Sequence, residues 1–167
     1  MGSYTTRTET GIRNIHQRTV PGDLARSRAL LATLATPEDR VWPKDRWPRI
    51  WFGDQGPVPG ADGGHGPIKY RVTEVTPDLM AFTFTGALTG EHRLELTEEP
   101  DGRVRWTHTI DLIRPGLMLR HGIVPLHDAC LEDLLDQVEA ELSERPVVRE
   151  DFGVGVRLRL ALAERTG

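Results

Sequence analysis

Tyr70, His92 and His108 are the residues in this sequence with the clearest means of doing chemistry. Each falls in a stretch of alternating character: Ile68, Tyr70, Val72 and Glu74; His92, Leu94 and Leu96; Val104, Trp106, His108, Ile110 and Leu112. Alternate residues of a strand share one face, so the phenol and both imidazoles turn to the same side as Phe82, Phe84 and Trp106. A neutral imidazole can take a proton alpha to a carbonyl, and a phenol can donate a hydrogen bond to the enolate oxygen that forms. The same groups could instead hold a bound molecule without transforming it. Each His could also be a core residue bonded to a carbonyl or a water.

Turn chemistry sets an expected register for these strands. Pro100-Asp101-Gly102 fits a three-residue hairpin loop, which pairs Leu96 with Trp106, Leu94 with His108 and His92 with Ile110. Thr76-Pro77-Asp78 pairs Val72 with Phe82 and Tyr70 with Phe84. A five-residue link over 86–90 pairs Phe84 with His92. His92 and His108 then become diagonal neighbours, with backbones about 7–8 Å apart. Tyr70 lies two strands from His92, about 10 Å away, so a ligand of one or two fused rings would touch all three. Phe82, Phe84, Leu94, Trp106 and Ile110 would form the apolar wall. His127 and Leu131, on one face of a helix, would close it from above. Glu74, at a strand end, reads as a solvated carboxylate.

Other chemistries find less support. Neither HxH nor HExxH spacing occurs, so no metal is expected, and no cofactor is called for. No GxSxG motif supports covalent catalysis. The GADGGHG stretch over 60–66 leads into a strand rather than a helix, unlike a phosphate-binding loop. Cys130 reads as a small apolar core residue.

The elements that must position these side chains follow from periodicity. Residues 12–20 suggest a first strand, and His16 within it has no assigned role. Asp23 caps a helix over about 24–34, and Thr36-Pro37 suggests a second short helix. Residues 53–67, rich in Gly and Pro, form a loop. Four strands over 68–112 make an antiparallel meander with one apolar face. A helix from 117 or 125 to 144 carries the apolar stripe Leu131, Leu134, Leu135, Val138 and Leu142. Laying that helix across the sheet gives an α+β architecture. Residues 1–10 read as a flexible tail. In 146–167, alternation from Val154 to Leu162 suggests a strand that docks on its own sheet or on a second copy, giving a homodimer.

With 167 residues, of which 38% are hydrophobic, the chain suits one domain. A net charge of −4 argues against a nucleic-acid partner. No long apolar run suggests a membrane span or secretory signal, and one cysteine allows no intramolecular disulfide. A cytoplasmic location is expected.

The order strand, short helices, meander and long helix resembles the START-like (SRPBCC) superfamily, including its polyketide cyclase/dehydratase-like members. TPEDRVWPKDRWP, GGHGPIKYRVTEVTP and PLHDACLEDLLDQVE carry the resemblance, which spans about 12–144, the core of a domain set at 11–145. It implies a helix-grip fold: a curved antiparallel sheet wrapped around the C-terminal helix, two short helices after the first strand, and a cavity between sheet and helix. Binding of a hydrophobic, aromatic or polycyclic small molecule is the first expectation. A cyclase/dehydratase-type enzyme and a protein-interaction module are the alternatives.

Overall fold

The computed structural model describes residues 4–149 and 151–157. Seven strands form one antiparallel sheet: β1 Thr5–Arg7, β2 Gly11–Val20, β3 Asp62–His65, β4 Ile68–Thr76, β5 Leu79–Phe84, β6 Gly90–Glu98 and β7 Val104–Ile113, in the order β1-β2-β7-β6-β5-β4-β3. A short helix, α1 (Leu24–Leu31), follows β2. A π-helical turn at Leu119–Ile123 leads into the long helix α2 (Val124–Ser143). This is the helix-grip fold that the sequence suggested: a curved, open sheet around a C-terminal helix.

The meander is built from neighbours in sequence, but the pairing of β2 with β7 is not. Ten residues of β2 lie against ten of β7, from Gly11 opposite Ile113 to Val20 opposite Val104. That pairing puts Ile12, Asn14, His16 and Val20 on the buried side. Across from them, α2 contributes Leu131, Leu134, Leu135 and Val138, all buried, as the apolar stripe requires.

Local chemistry explains the departures from expectation. Within the stretch expected to be a flexible tail, Thr5–Arg7 pair with β2 and form an edge strand. Only one short helix follows β2, because the Thr36-Pro37 segment makes turns instead. There the buried Asp39 carboxylate accepts hydrogen bonds from the backbone N–H groups of Ala35, Val41 and Trp42 at 2.8–2.9 Å. Such side-chain competition for backbone donors favours turns over helix. The Gly-rich loop contains strand β3, which pairs with β4. The C-terminal strand was expected from residue 154, but 154–157 form a helical turn, with Val156 and Arg157 both donating to the Gly153 carbonyl. The remainder of that segment lies outside the described residues.

Asp133 of α2 ties the long loop to the helix. Its carboxylate accepts from the Trp47 indole at 2.7 Å and from Arg46 at 3.0 Å, and the residue is only 5% exposed. Phe152 completes the joint by packing on Trp47 and under the Arg46 guanidinium. Truncating one member of a buried pair leaves the other charge uncompensated. Asp133→Ala should therefore destabilise by about 3–5 kcal/mol in urea denaturation. A loss within the scatter of surface substitutions would show that the joint carries no strain of the fold.

Candidate functional site

β4, β6 and β7 place Tyr70, His92 and His108 on the concave side of the sheet, beneath α2. Pairing of β6 with β7 is as the hairpin chemistry requires: Leu96 with Trp106, Leu94 with His108, His92 with Ile110. Tyr70 faces Phe84 and Val72 faces Phe82, also as expected. The β5–β6 register differs. Phe82, not Phe84, sits opposite His92, and Met80 opposite Leu94. Beyond the last β5–β6 pair, Thr83 with Glu91, the chain stays bound to β4 through Thr85 N–H to the Lys69 carbonyl, so residues 84–90 lie between the paired positions of the two strands. At its end Gly90 has φ +135°, and a Cβ there would lie 1.9 Å from the Asp111 carbonyl oxygen, a place only glycine can take. A slip of two keeps every side chain on its original face, so parity survives while the rows change.

A second local feature moves Glu74. A bulge between Val72 and Glu74 makes Val75 the partner of Met80, and Glu74 is exposed. Its reading as a solvated carboxylate is consistent with that placement, although the row joining it to Met80 is lost.

The changed register draws the rings closer than expected. Tyr70 and His92 meet edge-on at 4.7 Å between centroids. Phe82 and Phe84 stack on the His92 imidazole at 4.7 and 5.0 Å. His92 Nδ1 and His108 Nε2 lie 3.4 Å apart. His127, from the first turns of α2, reaches the His108 ring at 5.1 Å. Leu131, Leu94, Ile110 and Trp106 are buried around them. The structure therefore brings the expected strand side chains onto one wall, with His127 and Leu131 facing them from α2, and packs the rings against one another. Two surface concavities, of about 210 Å³ beside Arg28, Val75 and Met80 and about 450 Å³ beside Glu9, Thr89 and Arg114, do not include these rings in their linings.

Two histidines without an assigned role extend the row at either end. His65, on β3, hydrogen-bonds the Tyr70 hydroxyl through Nδ1 at 3.0 Å. His16, fully buried on β2 opposite His108, stacks on Tyr4 at 3.8 Å and stands 6.1 Å from His127. The signal for His16 lay in shared parity with Ile12 and Asn14, but the polar Asn blurred the alternation. His16 is held between two carboxylates of α2, with Nδ1 2.6 Å from Glu132 and Nε2 3.0 Å from Asp128. A ring nitrogen of His16, one of His127 and an Asp128 oxygen lie within 4.8 Å of one another. Spacing had argued against a metal because it compared positions within one element, whereas these come from a strand and a helix over 100 residues apart.

Burial decides the charge states along this row. It pushes His92 and His108 well below the ordinary imidazole range, with nearby imidazoles adding to the effect. It brings His65 to about 4, helped by Lys69, and His127 to about 3, helped by His16. Burial also raises the Tyr70 phenol. His16 differs: burial opposes its charge, yet the hydrogen bonds to Asp128 and Glu132 outweigh burial and raise it. Four ring nitrogens in this interior are buried without a hydrogen-bond partner: His92 Nε2, His108 Nδ1, His127 Nδ1 and Trp106 Nε1.

Helix-grip proteins are the structural class that this arrangement defines. No family model and no curated protein matches the chain. Among solved structures it is similar to EF2215 of Enterococcus faecalis, a conserved protein of unknown function, at 12% identity over 98% of this chain and 91% of that one, with a TM-score of 0.62. CalU16 of Micromonospora echinospora shares 14% identity over 96% and 91%, with a TM-score of 0.58. DynU16, from the dynemicin biosynthetic locus, shares 16% over 82% of this chain and 49% of that one, with a TM-score of 0.57. At these identities the likeness concerns the fold alone. Among the described residues, no helix is long and apolar enough to cross a membrane.

Neutral burial has a pH consequence. In the unfolded chain His65 ionises near 6.5, and in the native state near 4. Its contribution is complete above pH 6.5 and is lost as pH falls toward 4, by up to about 1.4 kcal/mol per pH unit. Urea denaturation between pH 7 and 4.5 should show His65→Gln with a shallower loss than the parent. Parallel curves for the two proteins would contradict burial of a neutral His65.

Proposed function

We propose that the protein binds a small, mostly apolar aromatic or polycyclic molecule, bearing carbonyl or hydroxyl oxygens, between the concave sheet and α2. The observation that carries this reading is the set of unpartnered ring nitrogens on His92, His108, His127 and Trp106. Each buried polar atom left alone costs about 1–3 kcal/mol, and four in one interior call for water or ligand oxygens to meet them. Phe82, Phe84, Leu94, Ile110 and Leu131 offer the apolar contact, and Tyr70, His92 and His108 the polar contacts.

The rings must part to admit a guest, and the way in lies at the start of α2. Leu117 and Met118 are 75% and 80% exposed there, beside the π-helical turn, none of whose residues is buried. Such turns are a common device at functional sites. The resemblance to START-like, polyketide cyclase-like proteins supports the same reading. So does DynU16, a structural neighbour from the dynemicin biosynthetic locus. A second reading, acid–base catalysis, is favoured by the 3.4 Å His92–His108 contact. In it, one neutral imidazole takes a proton alpha to a carbonyl while Tyr70 donates to the enolate oxygen.

The test uses 1,8-dihydroxyanthraquinone as probe, followed by quenching of tryptophan fluorescence and by calorimetry, with native mass spectrometry for any co-purified molecule. One equivalent should bind. His108→Phe should weaken binding at least about 10-fold in a variant that circular dichroism shows to be folded, since phenylalanine offers a guest's oxygen no polar partner. No saturable binding together with no co-purified molecule would sink the proposal, as would an unchanged affinity in His108→Phe.

A further inference from the structure

We infer that His16, His127 and Asp128 form a binding site for one divalent transition ion of the zinc class, at the seam between β2 and the first turns of α2. This goes beyond the small-molecule reading and does not rest on it. One atom from each residue lies within 4.8 Å of the other two. The contact between His16 Nε2 and Asp128 Oδ1 is 3.0 Å. Two ligands on one ion with bonds of about 2.0–2.1 Å stand roughly 3.0–3.4 Å apart, so this pair already has ligand spacing. Closing the triad requires His127 to approach by up to about 1.8 Å.

The surroundings of His16 assign its ring nitrogens. Glu132 Oε1 lies 2.6 Å from Nδ1, the outer carboxylate that metal-bound imidazoles commonly keep. It draws the proton to Nδ1, and Nε2 then aims its lone pair at the Asp128 oxygen. Lone pair against carboxylate at 3.0 Å is repulsive unless a proton or a cation lies between them. A proton alone would satisfy His16 and Asp128 but would bring in no nitrogen of His127, whose Nδ1 has no hydrogen-bond partner. A metal ion engages one atom of each of the three residues. Asn14 also donates to Asp128 Oδ1 at 2.8 Å, orienting the carboxylate.

Charge and hardness narrow the ion. Asp128, Glu132, Asp136 and Glu139 line this seam against Arg18 and His16, so negative charge is in excess. Two imidazoles and one carboxylate suit zinc, cobalt or ferrous iron, whereas calcium and magnesium prefer all-oxygen sets. Three protein ligands leave a position for water or a guest's oxygen. Asp128 keeps a side-chain exposure of 29%, which gives an ion access from solvent.

The untagged full chain, stripped with a chelator, is titrated with zinc by calorimetry and with cobalt by visible absorption at neutral pH. One equivalent should bind, with cobalt giving the d–d bands of a nitrogen- and oxygen-ligated site. His127→Ala and Asp128→Asn should each lower affinity at least about 10-fold, and Glu132→Gln about 10–100-fold. His127→Phe fills the same space and serves if His127→Ala does not fold by circular dichroism. Absence of saturable binding in the parent overturns the inference. So does the same affinity in folded His127 and Asp128 variants.

Discussion

The fit of β2 to α2 is the interaction on which this fold depends. Alternate strand residues recur about every 6.6 Å, and helix residues four apart about every 6.0 Å. Asn14, His16 and Arg18 of the strand therefore step along Asp128, Glu132 and Asp136 of the helix almost in phase. Asn14 bonds Asp128; His16 bonds Asp128 and Glu132; Arg18 reaches Glu132, Asp136 and Glu139. Apolar contact is non-directional, so the leucine stripe of α2 supplies burial without choosing a register. The polar rungs choose it, because hydrogen bonds weaken steeply off their preferred geometry.

That choice places the interior rings. With α2 held at this height, His127 stands over His108, which meets His92, which meets Tyr70 and, through its hydroxyl, His65. The row passes from a carboxylate-held imidazole at one end to neutral, desolvated imidazoles at the other. One set of packed aromatic rings thus offers both a charged edge and an apolar, hydrogen-bonding interior. The fold is shared with proteins only 12–16% identical, so any function resides in these particular side chains and not in the sheet that carries them.

Much of this was legible in the sequence because side-chain alternation is a local property. The faces of 68–72 and 91–112, the stripe of α2 and the Asp23 cap all follow from near neighbours. The β5–β6 register was not legible, since it depends on how long Thr85 remains bound to Lys69 and on a Gly90 conformation set against β7. The helix expected at Thr36-Pro37 gave way to the buried Asp39, whose three backbone bonds emerge only once the loop is packed. His16 and its helix carboxylates were hidden for the most basic reason. Their spacing becomes regular only after a strand and a helix separated by more than 100 residues are laid side by side.

Native-state hydrogen exchange tests the central claim most directly. If the β2–α2 seam holds the grip together, amides of β2, β7 and residues 128–140 should exchange only with global unfolding and at one common free energy. The segment 116–123, before the seam begins, should exchange far faster. Exchange of the α2 amides at a free energy well below that of β2 and β7 would contradict the account, because the helix would then be leaving a sheet that stays closed without it.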